Sequence, residues 1–102
     1  MTTAAVLAAL ADETRWAILT ELGAAELSAS GLATRLPVSR QAIAKHLAVL
    51  VEAGLAESVP AGREVRYRAI GARLHELSAE LDAIGARWDT RLAALKRVVE
   101  SQ

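Results

Sequence analysis

The stretch Ser39–Ala53, SRQAIAKHLAVLVEA, constrains this chain most, because it combines a helical apolar stripe with a polar face that a core has no use for. Ile43, Leu47, Leu50 and Val51 recur at helical spacing, and Gln41, Lys45, Ala48 and Glu52 fall roughly opposite. Ser39 stands where an N-cap oxygen accepts from an orphan backbone N–H, and Gly54 stands at the C′ position that ends helices. Upstream, Leu32, Ala33 and Leu36 mark a shorter amphipathic helix opened by Ser28 or Ser30. Pro37 closes it, because the residue before a proline avoids the α region. Two helices separated by about three or four residues have the spacing of a helix-turn-helix. That motif lays its second helix in the major groove of DNA, with the N-terminal residues toward the base edges.

A net charge of zero argues against a nucleic-acid binder until the charges are placed along the chain. Residues 1–34 carry Arg15 against Asp12, Glu13, Glu21 and Glu26, a balance of −3, and residues 74–102 carry four basic and five acidic groups, −1. Residues 35–73 carry Arg35, Arg40, Lys45, Arg63, Arg66, Arg68 and Arg73 against Glu52, Glu57 and Glu64, a surplus of +4. The basic charge thus coincides with the segment that would read DNA. With 102 residues and no cysteine, one small domain without disulfides or thiolate-bound metal is expected. The apolar residues are mostly Ala, Leu and Val with few aromatics, which favours helices over a sheet sandwich. No run of about 18 apolar residues and no charged-then-apolar leader occurs, so a cytoplasmic protein without a membrane partner is expected.

The flanks complete a mainly α fold with a small β-hairpin wing, in the order α-α-α-α-β-β-α. Val6, Leu7 and Leu10 share one side of a first helix. Asp12, Glu13 and Thr14 cap a second, whose positions Trp16, Ile18, Leu19 and Leu22 cover one face and which Gly23 ends. Leu27 lies in a short extended link that can pair as an edge strand. Leu55–Val59 and Glu64–Ile70, separated by Pro60, Ala61, Gly62 and Arg63, are a hairpin signal. Alternation there puts Val65, Tyr67 and Ala69 on a packing face and Glu64, Arg66 and Arg68 outward. From Ala72 onward, Leu74, Leu77, Leu81, Ile84, Trp88, Leu92, Leu95 and Val99 step by three and four along one long helix. A helix of about 28 residues spans about 42 Å, more than a domain of this size covers from within. Part of its apolar seam is therefore expected to meet a second subunit, with the first helix beside it. One domain over 1–102 follows, with a helix-turn-helix at about 28–53, a wing at about 55–70 and a dimerisation helix at about 72–100.

Three segments in order, LAALADETRWAILTEL, LPVSRQAIAKHLAVLVEAGLAE and GREVRYRA, resemble the ArsR/SmtB family of bacterial winged-helix repressors, and the likeness covers essentially the whole chain. The resemblance implies a homodimer that binds a pseudo-palindromic operator in double-stranded DNA and represses transcription. Known members release DNA on binding metal through cysteines, or through Asp, His and Glu on the last helix. This chain departs from both patterns, offering there His75 with Glu76 and Glu80 and no second histidine. A lone imidazole with oxygens makes a weak transition-metal site. No metal and no cofactor is therefore expected, and the tail ARWDTRLAALKRVVE resembles a metal-independent branch often encoded beside START-like cavity proteins. A small-molecule effector is not identified.

The candidate DNA-contacting residues are Ser39, Arg40, Gln41, Ala42, Lys45 and His46 on the reading helix and Arg63, Arg66 and Arg68 on the wing. Glutamine can pair bidentately with adenine, and lysine reaches guanine or phosphate. Arg40 sits in a first turn, where its charge opposes the helix dipole, which favours a functional reason for it. His46 lies between the polar face and the apolar stripe, so packing and phosphate contact both fit. The candidate dimer interface is Val6, Leu7, Leu10, Leu77, Leu81, Ile84, Trp88, Leu92 and Leu95. No catalytic residue is indicated: there is no cysteine, no Gly-rich phosphate loop, and neither histidine has a partner at a recognisable spacing. The competing reading is a winged-helix protein-interaction module that has lost DNA binding.

Overall fold

The computed structural model describes residues 2–101, except for the Val99 side chain, so that position's expected place on the seam lies outside the described residues. The elements are α1 (Thr3–Leu10), α2 (Glu13–Ala24), β1 (Leu27–Ser28), α3 (Ala29–Arg35), α4 (Arg40–Glu52), β2 (Ala56–Ala61), β3 (Glu64–Ala69) and α5 (Gly71–Glu100). Each of the first four helices opens on a side-chain cap. Thr2, Asp12, Ser28 and Ser39 accept from the backbone N–H groups of Ala5, Arg15, Gly31 and Ala42, at 3.0–3.2 Å.

The helix expected over 39–53 ends as its sequence requires. Gly54 takes a φ of +74°, its N–H donates to the Val51 carbonyl, and the Leu55 N–H donates to the Leu50 carbonyl, both at 3.0 Å. These two bonds are a Schellman motif, and its apolar pair, Leu50 and Leu55, is fully buried. A Cβ at Gly54 would meet no atom within 4 Å, so substitution there costs backbone strain alone. Gly54→Ala is expected to lower unfolding stability by about 1–2 kcal/mol, seen as a reduced urea midpoint at unchanged slope.

The core is built where the stripes of α1 to α4 meet. Val6, Ile18, Leu32, Ile43, Leu47, Leu50 and Leu55 are completely or almost completely buried. Apolar burial of this kind is the main force holding the reading helix to its platform, at about 1.5–3 kcal/mol for each large side chain. Val51 falls off the expected stripe and is exposed, because α4 buries the i, i+4, i+7 set of Ile43, Leu47 and Leu50. Gly23 does not end α2, which runs on to Ala24.

The sheet has the order β1-β3-β2, all antiparallel, with Leu27 opposite Tyr67 and Glu57 opposite Arg68. Leu27 is thus an edge-strand residue, as its extended link suggested. The hairpin loop is shorter than the expected four residues. Pro60 and Ala61 belong to β2, paired with Val65 and Glu64, and the turn is Gly62 and Arg63 alone. A proline is tolerated there because β2 is an edge strand, whose outer side has no ladder to break. Gly62, with φ +66° and no other residue of the turn at positive φ, supplies the first central position of a type II′ turn.

Only the start of α5 belongs to the core. Leu77 is buried and Leu74 half-buried, whereas every described side chain from Ser78 onward is exposed. The chain measures 69 Å along its longest axis against 25 × 22 Å across it. None of the described helices is long and apolar enough to cross a membrane. Leu81, Ile84, Trp88, Leu92 and Leu95 form an open apolar stripe, and near its start Leu7, Leu10, Trp16, Leu74, Leu77 and Leu81 line a groove of about 560 Å³.

Two expectations fail here for one reason. Val6 and Leu77, read as interface residues, are 0% and 4% exposed within the single chain, so Val6 has no surface left for a partner and Leu77 only a trace at the floor of the groove. Trp16, read as core, is 61% exposed, because α2 turns Ile18, Leu19 and Leu22 inward and leaves the indole over the groove. Helical spacing assigns residues to a face, and the packing partner decides how wide that face is.

Candidate nucleic-acid interface

The first two turns of α4 present an exposed polar surface. Arg40, Gln41, Ala44 and Lys45 are exposed, while Ala42 is half-buried behind them. Ser39 is the N-cap: its hydroxyl accepts from Ala42 N–H at 3.2 Å and its carbonyl accepts from Ile43 N–H at 2.9 Å, which leaves the exposed O–H free to donate. Among the described residues, Arg40, Gln41 and Lys45 make no ion pair and no side-chain hydrogen bond within the chain. Polar groups without internal partners on a helix N-terminal face remain available to an external ligand, and the helix end itself favours an anion.

The wing closes one side of this surface. Arg40 and Arg63, 23 positions apart in sequence, line the same cleft of about 390 Å³, together with Ser28, Ser30, Ala44 and Tyr67. The cleft is brought together by the type II′ turn, which places Arg63 at the wing tip, and by pairing of β1 with β3, which ties the sheet to the start of α3. Glu64 also lines the cleft but is paired with Arg66, so the two arginines, without carboxylate partners among the described residues, leave it a basic surplus that suits a phosphate backbone better than a neutral ligand.

The three wing arginines are not equivalent, contrary to their reading as a single basic face. Arg68 donates to Glu57 across the strands at 2.6 Å and lies 3.8 Å from Glu26. The hydrogen bond to Glu57, then its charge, hold the Arg68 guanidinium above its ordinary pKa. Arg66 pairs with Glu64 at 3.2 Å. Arg63 is the wing arginine without a carboxylate partner among the described residues. Exposed pairs of this kind contribute about 0–1 kcal/mol, and they engage Arg66 and Arg68 within the sheet.

His46, half-buried, turns toward α2. Its Nδ1 lies 3.5 Å from an Arg15 guanidinium nitrogen and 4.0 Å from an Asp12 carboxylate oxygen, both at the start of α2. Arg15 in turn donates from Nε to the Ala9 carbonyl at 2.6 Å. The Arg15 backbone N–H bound to Asp12 holds that carboxyl below its ordinary pKa, against the opposing effect of burial and with help from the Arg15 charge. This junction was invisible in sequence, since its members lie 31 positions apart and the segment ADETR reads locally as a helix cap.

On the last helix, Glu76 pairs with Arg73 at 3.0 Å and Glu80 accepts from the Thr3 hydroxyl. His75 is exposed, and no group of three metal-ligating side chains converges among the described residues.

Known proteins share the fold. A helix-turn-helix domain family matches residues 10–59. The chain is 37% identical over 94 residues to the HTH-type transcriptional regulator Rv2034 of Mycobacterium tuberculosis (strain ATCC 25618 / H37Rv), covering 92% of this chain and 85% of the relative. Among solved structures, an ArsR-like transcriptional regulator from Rhodococcus sp. RHA1 is 66% identical, with a TM-score of 0.86 over 94% of this chain and 91% of that one. The homodimeric winged helix-turn-helix DNA-binding domain of Mb0332 from Mycobacterium bovis is 28% identical, with a TM-score of 0.67 over 81% and 77%.

Proposed function

The chain belongs to the ArsR-like family of helix-turn-helix transcriptional regulators, and from that premise we propose that it is a homodimer that binds a pseudo-palindromic operator and represses transcription. The observation that carries this reading is that Arg40, on the exposed face it shares with Gln41 and Lys45, lines one cleft together with Arg63 of the wing. Gln41 and Lys45 reach base edges in the major groove, and Arg40 and Arg63 hold the backbone on either side of the cleft. Ala42, small and half-buried, lets the helix approach closely. Arg66 and Arg68 add long-range attraction while remaining paired.

Self-association is supported by the open stripe of Leu81, Ile84, Trp88, Leu92 and Leu95, which runs into the groove carrying Leu7 and Leu10. A contiguous apolar surface along more than four helical turns marks an interface. The Mycobacterium bovis relative is homodimeric, which supports self-association here. A two-fold dimer presents two reading helices to two half-sites.

Fluorescence anisotropy of the protein on its own upstream DNA and on a scrambled duplex, at several salt concentrations, tests the reading. Sequence-preferring binding that weakens steeply with salt is expected, because each phosphate contact releases counterions. Arg63→Ala is expected to reduce the slope of log affinity against log salt by about one unit per wing arginine lost, with little change in preference between duplexes. Equal weak binding to both duplexes would instead favour a protein-interaction role for the winged fold.

A further inference from the structure

The Asp12–Arg15–His46 junction lies outside the DNA-contacting face, yet it joins three elements that matter to it. Ile43, Leu47 and Leu50 hold α4 against the platform by apolar contact, which is strong but non-directional. Such packing fixes which face of α4 is buried, but a directional bond adds to it in holding the small rotations about the helix axis that decide where Gln41 and Lys45 point. His46 follows Lys45 directly in sequence, so anchoring its ring fixes the direction of its neighbours.

The anchor is directional. The Arg15 guanidinium is pinned on one side by the Ala9 carbonyl in the last turn of α1, at 2.6 Å, and reaches His46 Nδ1 on the other, at 3.5 Å. Both side chains are largely shielded from solvent, at 19% and 24% exposure. A guanidinium only donates, so this bond requires Nδ1 without a proton. We propose that Arg15 and His46 are positioning residues for DNA recognition: Arg15, tied to the end of α1, donates to neutral His46 and sets the rotation of α4 that aims Gln41 and Lys45. The inference rests on the DNA-reading function proposed above.

The facing carboxylate is Asp12, at 4.0 Å from the ring, and among the described residues no charged group of α1, α3 or β2 comes within ion-pair distance of it.

The experiment measures operator affinity by anisotropy at constant pH and salt for the wild type and for His46→Asn, His46→Leu, Arg15→Met and the last two combined, with the His46 tautomer read by 15N NMR in the free protein. His46→Asn, whose side-chain oxygen stands where the ring Nδ1 does, is expected to bind within about twofold of wild type. His46→Leu and Arg15→Met should each lose about three- to tenfold on the operator, in excess of any change on scrambled DNA, and combining them should add little. Wild-type affinity in His46→Leu, losses that add in the double variant, or a proton on Nδ1 in the NMR spectrum would each overturn the link. A wild type that prefers no duplex would overturn the functional reading, and the role of the link with it, whereas the NMR spectrum tests the bond itself.

Discussion

Trp88→Glu combined with Leu92→Glu is expected to give a folded monomer that has lost its operator. Both side chains are half or more exposed and touch nothing in the core, so the isolated fold loses little by the exchange. In an interface the same positions become the costliest place for a charge. A carboxylate taken from water without a partner costs several kcal/mol, and two-fold symmetry doubles each substitution. Four such charges exceed what a stripe of this size supplies. DNA binding then fails for a geometric reason: one reading helix engages one half-site, and the gain of about 10²–10⁴ from linking two is lost. Sedimentation velocity with circular dichroism checks the outcome. Wild-type sedimentation by the double variant would mean that α5 does not carry the subunit contact.

The second large effect is expected at the reading face, with the dimer intact. Gln41→Ala together with Lys45→Ala removes two exposed side chains without internal partners, so neither fold nor assembly has reason to change. Each good base contact discriminates by about 1–3 kcal/mol, which makes the joint loss on the operator about 30- to 10⁴-fold. On a scrambled duplex the same variant should lose no more than one phosphate contact. That asymmetry separates base reading from general attraction. A dimer that keeps full sequence preference without Gln41 and Lys45 would remove them from the reading role, and one with no DNA phenotype at all would favour the interaction module.

The two variants probe different ends of a structure whose parts were unequally legible. The reading helix was visible at both ends, because an N-cap serine and a C′ glycine act on backbone groups within four residues. The wing turn was visible for the same reason, since Gly62 alone meets the φ its position demands. The basic surplus over 35–73 was real in sequence but uneven in space. Glu57 stands opposite Arg68 only once β2 and β3 take their register, and Glu64 turns to Arg66. Counting charges along the chain therefore overstated the wing and left Arg63 and Arg40, which meet across 23 positions, as the uncommitted pair lining the cleft.

By itself the sequence determined the helices, their caps, the hairpin and the polar face of α4, since these follow from periodicity and from bonds between near neighbours. Only the tertiary structure decided that Val6 and Leu77 are core, that Trp16 is surface, and that His46 lies against Arg15 and Asp12 at the start of α2. Each of those outcomes depends on which remote element covers a side chain. A helical period names the face a residue lies on, but it carries no record of what is packed against that face.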